Sequence, residues 1–348
     1  MKGRKTKLMT GILAMALTLG LATGCGTTQS ASKSDGSVNA ATHTSKIRVG
    51  VMTGANEHFL ILEGKEQGIY EKYGLDVEYT EFATGVEAVS AIATGQLDVA
   101  EVMDFGLINR LGQTSKQSEL RVIAQNYVAR TDAETENGTA FYVNPETVSS
   151  LDDLKGKKVS VALGTQNEYQ NARLYEYAGI TVDDVTQVPI EGMANVLAVV
   201  KNSEIDAVWS SGQTAINLRE EGWVPLVSGA EIGLVNRDIA VARDTFAEDT
   251  DTLAKYFAAR QEIVDYVTNN LDEAAAFIST KTGVTEDIFK NSILTNDLTN
   301  VINEETYNSL KELKEWSVAN GRFEDFDLDS FISADALKKQ FPDNVSYK

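Results

Sequence analysis

One cysteine, Cys25, and two histidines, His43 and His58, are all that this chain of 348 residues holds of the side chains most used to ligate metal or attack a carbonyl. One histidine in a folded region cannot build a zinc site, which takes three or four such ligands. A single cysteine closes no intrachain disulfide. No Gly-x-Ser-x-Gly elbow is present for His58 to serve. No Gly-x-x-x-x-Gly-Lys phosphate loop is present either, since Gly156-Lys157 has Leu151 where the first glycine belongs. Asp325, Asp327 and Asp329 imitate the start of a calcium loop, but Ser330 replaces its glycine and Ala336 its last glutamate, so an acidic surface is expected there. No cofactor and no metal are expected, and no catalytic residue is assigned. Basic charge is also scarce: 31 Lys and Arg stand against 51 Asp and Glu, a net charge of −20. That balance argues against nucleic acid or an anionic lipid surface as partner.

What is present begins with the leader. Lys2, Arg4, Lys5 and Lys7 precede an apolar stretch from Leu8 to Leu21, and Ala22-Thr23-Gly24 leads into Cys25. Residues 1–24 therefore read as a secretory signal with a small-residue cleavage site. The layout resembles the lipobox of bacterial lipoproteins, whose cysteine is diacylated and becomes the new N-terminus. Ala22 departs from the usual leucine three places before the cysteine; Leu21 lies one place further off. An ordinary signal peptide and a membrane anchor are the alternatives, although 14 apolar-rich residues fall short of the roughly 20 that span a bilayer. Losing the four basic residues takes the net charge from −20 to about −24. Residues 25–45, rich in Ser, Thr, Ala and Gly, are expected to be a flexible tether. The protein is then expected on the extracytoplasmic face of the cell membrane, held by the lipid at Cys25 alone.

From Lys46 onward, strands alternate with helical stretches, the mark of βαβ units around a parallel sheet. Strands are expected near 47–52, 75–80, 97–102 and 120–127, with helices near 57–73, 85–94 and 104–112. A polar run, Thr131 to Thr139, interrupts. A second set follows, with strands near 140–143, 158–163, 185–189 and 205–209, and helices near 166–178, 192–202 and 212–221. From Asp249 to Gly321 the period is helical. The two sets look like one plan used twice. Val49–Asn56 lines up with Val159–Gln166, and Gly95-Gln-Leu-Asp-Val99 with Ser203-Glu-Ile-Asp-Ala207.

In open α/β sheets ligands bind beyond the carboxyl ends of the strands. That rule selects Thr53–His58, Thr84-Gly85 and Glu101–Phe105 in one lobe. In the other it selects Gly164–Tyr169, Glu191-Gly192 and Trp209–Gln213. Gly54, Gly85, Gly164, Gly192 and Gly212 sit at or beside helix starts, where bare amides favour a sulfonate, carboxylate or nitrate group. Capping is the competing role, because Thr84-x-x-Glu87, Thr165-x-x-Glu168 and Ser210-x-x-Gln213 fit the capping-box pattern. Trp209 can stack on a ligand or fill the core; for Phe59 and Phe105 the core is favoured. Asp104 can receive an amine or cap a helix.

These segments resemble a family, the bacterial solute-binding proteins for aliphatic sulfonates, taurine, nitrate and thiamine-pyrimidine precursors. The resemblance is carried by Lys46–Met52, by Phe82-Ala-Thr-Gly85 with Gly95–Val99, by Ser150–Val159 with Ala162-Leu-Gly-Thr-Gln166, and by Ile205-Asp-Ala-Val-Trp209. It implies the two-lobe type II periplasmic-binding-protein fold: an α/β protein in which each lobe is a mixed, mostly parallel sheet flanked by helices, with extra C-terminal helices. Lobe one is expected from 46–130 and 236–348, and lobe two from 131–235, with crossovers near 130–139 and 229–238. A monomer is expected, with a small-molecule ligand and the permease and ATPase subunits of an ABC importer as partners. Ligand contacts carried over fall on Gly54, Asn56, Asp104, Gly164, Thr165, Gln166, Trp209 and Ser210. The family's Trp-Asp-Pro-Tyr is Trp209-Ser-Ser-Gly212 here, and Glu57 and Asp104 are expected to repel a bare anion. An uncharged heterocycle or an amine-bearing zwitterion therefore stands beside a sulfonate as the solute. The alternatives are an enzyme like those that make the thiamine pyrimidine, and a ligand-sensing surface lipoprotein without transport.

Overall fold

Branched apolar runs form strands, and several of them give way to helices at small or polar residues, such as Asn56, Gly85, Asp104 and Gly212. The computed structural model describes residues 44–114, 119–130, 139–190 and 193–348. Cys25, the leader, residues 25–43 of the tether, the polar run 131–138 and the Glu191-Gly192 turn lie outside the described residues. In chain order come β1 (Ser45–Met52), α1 (Asn56–Glu66), α2 (Ile69–Lys72), β2 (Leu75–Phe82), α3 (Gly85–Ala93), β3 (Val99–Met103), α4 (Asp104–Thr114) and β4 (Leu120–Ala129). They are followed by β5 (Ala140–Val143), β6 (Lys158–Val161), α5 (Gln166–Ala178), β7 (Thr186–Pro189), α6 (Met193–Lys201), β8 (Ala207–Ser210), α7 (Gly212–Glu220) and β9 (Val224–Ser228). The remainder is β10 (Arg237–Arg243), α8 (Asp244–Ala247), α9 (Thr250–Asn269), α10 (Leu271–Thr282), α11 (Glu286–Leu294), β11 (Asn296–Asp297), β12 (Ile302–Asn303), α12 (Glu304–Ala319), α13 (Asp335–Gln340) and β13 (Val345–Ser346).

Two features depart from expectation. The helix foreseen over 57–73 is two helices, because Gly68 takes a left-handed φ of 64° between α1 and α2. Strands β9 and β10 were not foreseen: β9 contains Pro225, a residue that sheets tolerate only at edges or bulges, and β10 is flanked by arginines.

The strands assemble two larger sheets, in the orders β11-β4-β10-β3-β1-β2 and β7-β6-β8-β5-β9. In the first, β1 runs parallel to β2 and β3, while β10 is antiparallel to β3 and β4. In the second, β6 runs parallel to β7 and β8, while β5 is antiparallel to β8 and β9. The orders correspond strand for strand: β2, β1, β3, β10, β4 against β7, β6, β8, β5, β9. In each sheet the antiparallel strand is the one delivered by a crossover from the other sheet. This is the two-lobe α/β fold. The two crossovers are bonded to each other. The Ala129 amide donates to the Asn236 carbonyl (3.0 Å), and Asn236 Nδ2 donates to Thr139 Oγ1 (2.9 Å). Helices α1 and α9 cover one face of the first sheet through Phe59, Leu60, Phe257 and Ile263, and α3, α4 and α12 cover the other through Ile92, Ile108 and Leu310.

The repeated Asp98 and Asp206 explain why the two halves read alike. Each carboxylate accepts the amide near the start of its lobe's leading strand, from Arg48 (3.0 Å) and Lys158 (2.9 Å) respectively. Each backbone amide donates to the carbonyl of that same residue, Arg48 (2.9 Å) and Lys158 (2.7 Å). Asp98 additionally holds Arg48 Nη2 and Arg243 Nη2, both at 2.7 Å. Burial raises its pKa, but the arginines outweigh burial and hold the carboxyl below its ordinary value. Asp98→Ala should cost about 2–3 kcal/mol, less than a fully buried pair because both arginines are a quarter to a third exposed. Urea unfolding measures this; Asp206→Ala, whose partners lie at the surface, should cost less than half as much.

Candidate functional site

A cavity of about 180 Å³ lies between the lobes at the carboxyl ends of the parallel strands. Lobe one contributes Met52 at the end of β1, the turn Ala83–Val86 into α3, and Val102, Met103 and Gly106 around the start of α4. Lobe two contributes Ser160 from β6 and Ala162 just beyond it, Thr165–Asn167 at the start of α5, Ile190 and Val196, and Val208-Trp209 at the end of β8. Gly85 is required in this wall: a Cβ there would meet Val102 Cα at 2.7 Å and the Glu101 carbonyl at 2.8 Å. Helix α3 thus starts directly against the backbone of β3.

The wall is mainly aliphatic, with few polar groups, the usual composition of a small-molecule site. Among the described residues no charged side chain lines it. Three lining residues, all buried, carry polar atoms with no hydrogen-bond partner in the protein: Ser160 Oγ, Gln166 Oε1 and Trp209 Nε1. An unpaired buried polar atom costs roughly 1–3 kcal/mol, so three around one cavity mark where a ligand would offer partners. Helices α3 and α5, one from each lobe, begin in the wall with open amides, and α4 begins there too, with Asp104 at its start. The first amides of α3 and α5, at Gly85, Val86 and Gln166, have no acceptor inside the helix, and the helix dipoles favour electron-rich groups there. Gln166 is held by its other end, since its Nε2 donates to Asn236 Oδ1 at 3.3 Å.

The residues singled out in the sequence divide. Thr165, Gln166 and Trp209 line the cavity. Gly54, Asn56, Asp104, Gly164 and Ser210 surround it without forming its wall. The Gly54 amide donates to His58 Nδ1 (3.1 Å), and the Gly164 amide to Glu168 Oε2 (2.6 Å). Both amides are thus engaged within the protein. Asn56 is buried at the first turn of α1. Ser210 Oγ is buried and unpartnered one residue beyond Trp209. The Trp209 ring packs in the lobe-two core, 5.4 Å from Phe141, while also facing the cavity; Phe59 and Phe105 are core residues. Of the capping boxes, Thr84 and Glu87 form one (3.3 and 3.2 Å). Glu168 turns instead to Gly164 and Arg322, and Ser211 rather than Ser210 precedes α7. Ser160 was missed. Its signal is a lone hydroxyl between two buried valines, Val159 and Val161, in a strand whose only other polar residue is the exposed Lys158 at its start.

The acids near the cavity need correction. Glu57, expected to repel an anion, is buried and held by Arg260 through a forked pair that includes Nε at 2.9 Å. Arg260 also donates to the carbonyls of Leu298 and Asn126, at 2.7 and 2.9 Å. Asp104 is buried at the start of α4 and accepts the Phe105 amide at 2.8 Å; burial pushes its pKa up to about 7. Glu101 accepts the Met52 amide, and Asp238 accepts from Asn126 Nδ2 at 2.8 Å. Burial raises both, and the repulsion among Glu101, Asp238 and Glu57 raises them further. Glu57 is therefore paired with Arg260, and burial favours the neutral form of Glu101, Asp104 and Asp238, which weakens the objection to an anionic ligand.

A family model described as NMT1/THI5 like matches residues 55–274, a span that includes both crossovers and every wall residue beyond Met52. The chain belongs to the NMT1/THI5-like family. Relatives include a binding protein of Brucella suis, 26% identical over 60% of this chain and 63% of that protein. The chain thus spans somewhat under two thirds of the Brucella relatives' length. A protein named for binding aliphatic sulfonates, from Bacillus subtilis, is 23% identical over 83% of this chain and 84% of its own length. Among solved structures, the alkanesulfonate-binding protein of Xanthomonas axonopodis pv. citri superposes with a TM-score of 0.70 at 13% identity, covering 83% of this chain and 98% of that one. That likeness is one of fold.

Asp104 supplies a test of the electrostatics. Its folded pKa of about 7 lies above the ordinary 3.8, so the folded state binds the proton more tightly than the unfolded chain. The contribution is present below about pH 4 and is lost as pH rises through 7. Asp104→Asn removes the penalty while keeping the acceptor for Phe105. It should raise stability by up to about 4 kcal/mol at pH 8 and by much less at pH 5. Thermal unfolding of both proteins at the two pH values measures this; an equal effect at both contradicts the assignment.

Proposed function

We propose that this chain is the extracytoplasmic solute-binding subunit of an ABC importer, anchored by a lipid at Cys25 with residues 25–45 as its tether. In this reading the lobes, 46–130 with 236–348 and 131–235, trap a small organic solute and present it to a permease. The carrying observation is the interlobe cavity, in which unpartnered Ser160, Gln166 and Trp209 and the starts of α3 and α5 surround a space lined for the rest mainly by aliphatic side chains, with Thr84, Thr165 and Asn167 among them. A solute touching both lobes binds the closed form better and shifts the population toward it.

The solute class follows from the same wall. The indole N–H, a hydroxyl and the helix-start amides suit an acceptor-rich head, and the aliphatic remainder suits a short apolar tail. An aliphatic sulfonate has both, in keeping with what the Bacillus subtilis relative is named for binding. An uncharged heterocycle stacked on Trp209 is the second reading, favoured by the absence of a lining cation among the described residues. The wall presents hydroxyls and amides rather than a general acid or base, which supports binding over catalysis.

Calorimetry with ethanesulfonate, taurine, nitrate and an aminopyrimidine decides between the readings. Ethanesulfonate or taurine is expected to bind tightest, and Trp209→Ala should weaken that binding tenfold or more, about 1.4 kcal/mol. Binding of nitrate alone refutes the proposal.

A further inference from the structure

Outside the cavity, one flank of lobe two is fastened to lobe one by side chains from the C-terminal segment. Arg322, just after α12, forks onto Glu168 of α5: Nη1 donates to Oε1 at 2.9 Å and Nη2 to Oε2 at 2.8 Å. The two side chains are only 22% and 19% exposed. The guanidinium lies 5.1 Å over the Phe105 ring of α4. Phe105 stacks on Tyr169 of α5 at 5.1 Å and 17°, and Tyr169 meets Trp316 of α12 edge-on at 5.0 Å. Trp316 Nε1 donates to Glu176 Oε1 at 3.1 Å. Each of these contacts except the guanidinium on Phe105 joins α5 of lobe two to α4, α12 or the residue Arg322 just after α12 on lobe one. Parting the lobes along this flank breaks all of them together.

Glu168 also accepts the Gly164 amide, so the carboxylate that Arg322 grips holds the turn leading from Ala162 to Asn167. Ala162, Thr165, Gln166 and Asn167 are wall residues. We infer that Arg322 is a positioning residue for the cavity, setting the lobe-two wall through Glu168 and clasping the lobes shut from outside the solute site. Charge-assisted forks of this kind fix direction as well as distance, and the Phe105 ring covers one face of the guanidinium. Trp316 and Arg322 lie beyond the span 55–274 matched by the family, so the lobe-one half of the clasp on the C-terminal segment falls outside that match, while Glu168, Tyr169 and Phe105 fall within it.

The test compares the mature chain with Arg322→Gln, Glu168→Gln and the double variant by small-angle X-ray scattering. Trp316 emission, taken as the difference from Trp316→Phe, is recorded alongside. Each single variant should shift the closed–open ratio about tenfold toward open, seen as a larger radius of gyration and a red-shifted Trp316 emission, with the circular dichroism unchanged. The double variant should be no more open than either single one. Should a glutamine variant lose its circular dichroism, Arg322→Lys, which keeps the charge and loses the fork, takes its place with an intermediate shift expected. An unchanged radius in a folded Arg322 variant, or additive effects in the double variant, overturns the inference. Both readouts are taken without solute, so they decide the clasp whatever the cavity binds.

Discussion

The cavity exists because each sheet receives its antiparallel strand from the other lobe. Parallel strands linked by helices end on one side of a sheet, and that end holds their helix starts and free amides. Strands β5 and β10, arriving by the two crossovers, lock into the middle of opposite sheets, beside β8 and β3. Each lobe is thereby completed by chain that has just left its partner. The carboxyl ends of β1 and β3 come to face those of β6 and β8, and the wall follows from that single exchange.

Electrostatics then shapes what the wall offers. Four carboxyl groups, those of Glu57, Glu101, Asp104 and Asp238, are buried behind lobe one's side of the cavity, with Arg260 buried among them. Unpaired and ionised, they would set a strongly negative field against any acceptor-rich solute. Arg260 grips Glu57, and burial favours the neutral form of the rest, which weakens that field. The helix starts of α3, α4 and α5 then stand as oriented dipoles at the cavity.

Much of this was readable from local sequence. Strand and helix positions followed from branched-residue runs and apolar spacing, so β1 to β8 fall within two residues of expectation at most ends. The twofold plan showed in Asp98 and Asp206 because each does the same job within its own lobe, reaching residues about fifty positions away. The Thr84–Glu87 capping box showed because its partners are three residues apart. What stayed hidden was decided by distant chain. Glu57 looked like a charge at the cleft because Arg260, 203 residues on, was not visible as its partner. Glu168 looked like a cap because Arg322 lies 154 residues beyond it. The glycine amides at 54 and 164 looked free for a ligand because side chains four residues on had not been weighed as acceptors. Periodicity speaks to which face is buried, and it is silent on which buried groups meet.

The bond between Asn236 and Thr139, with the Ala129 amide on the Asn236 carbonyl, joins the two interlobe connections side by side. A single strand between lobes can bend and twist in any direction. Two connections tied to each other at Ala129, Thr139 and Asn236 resist torsion and leave bending as the softer mode. The lobes are thus guided along one path, and a solute that closes them has little rotational wandering to suppress.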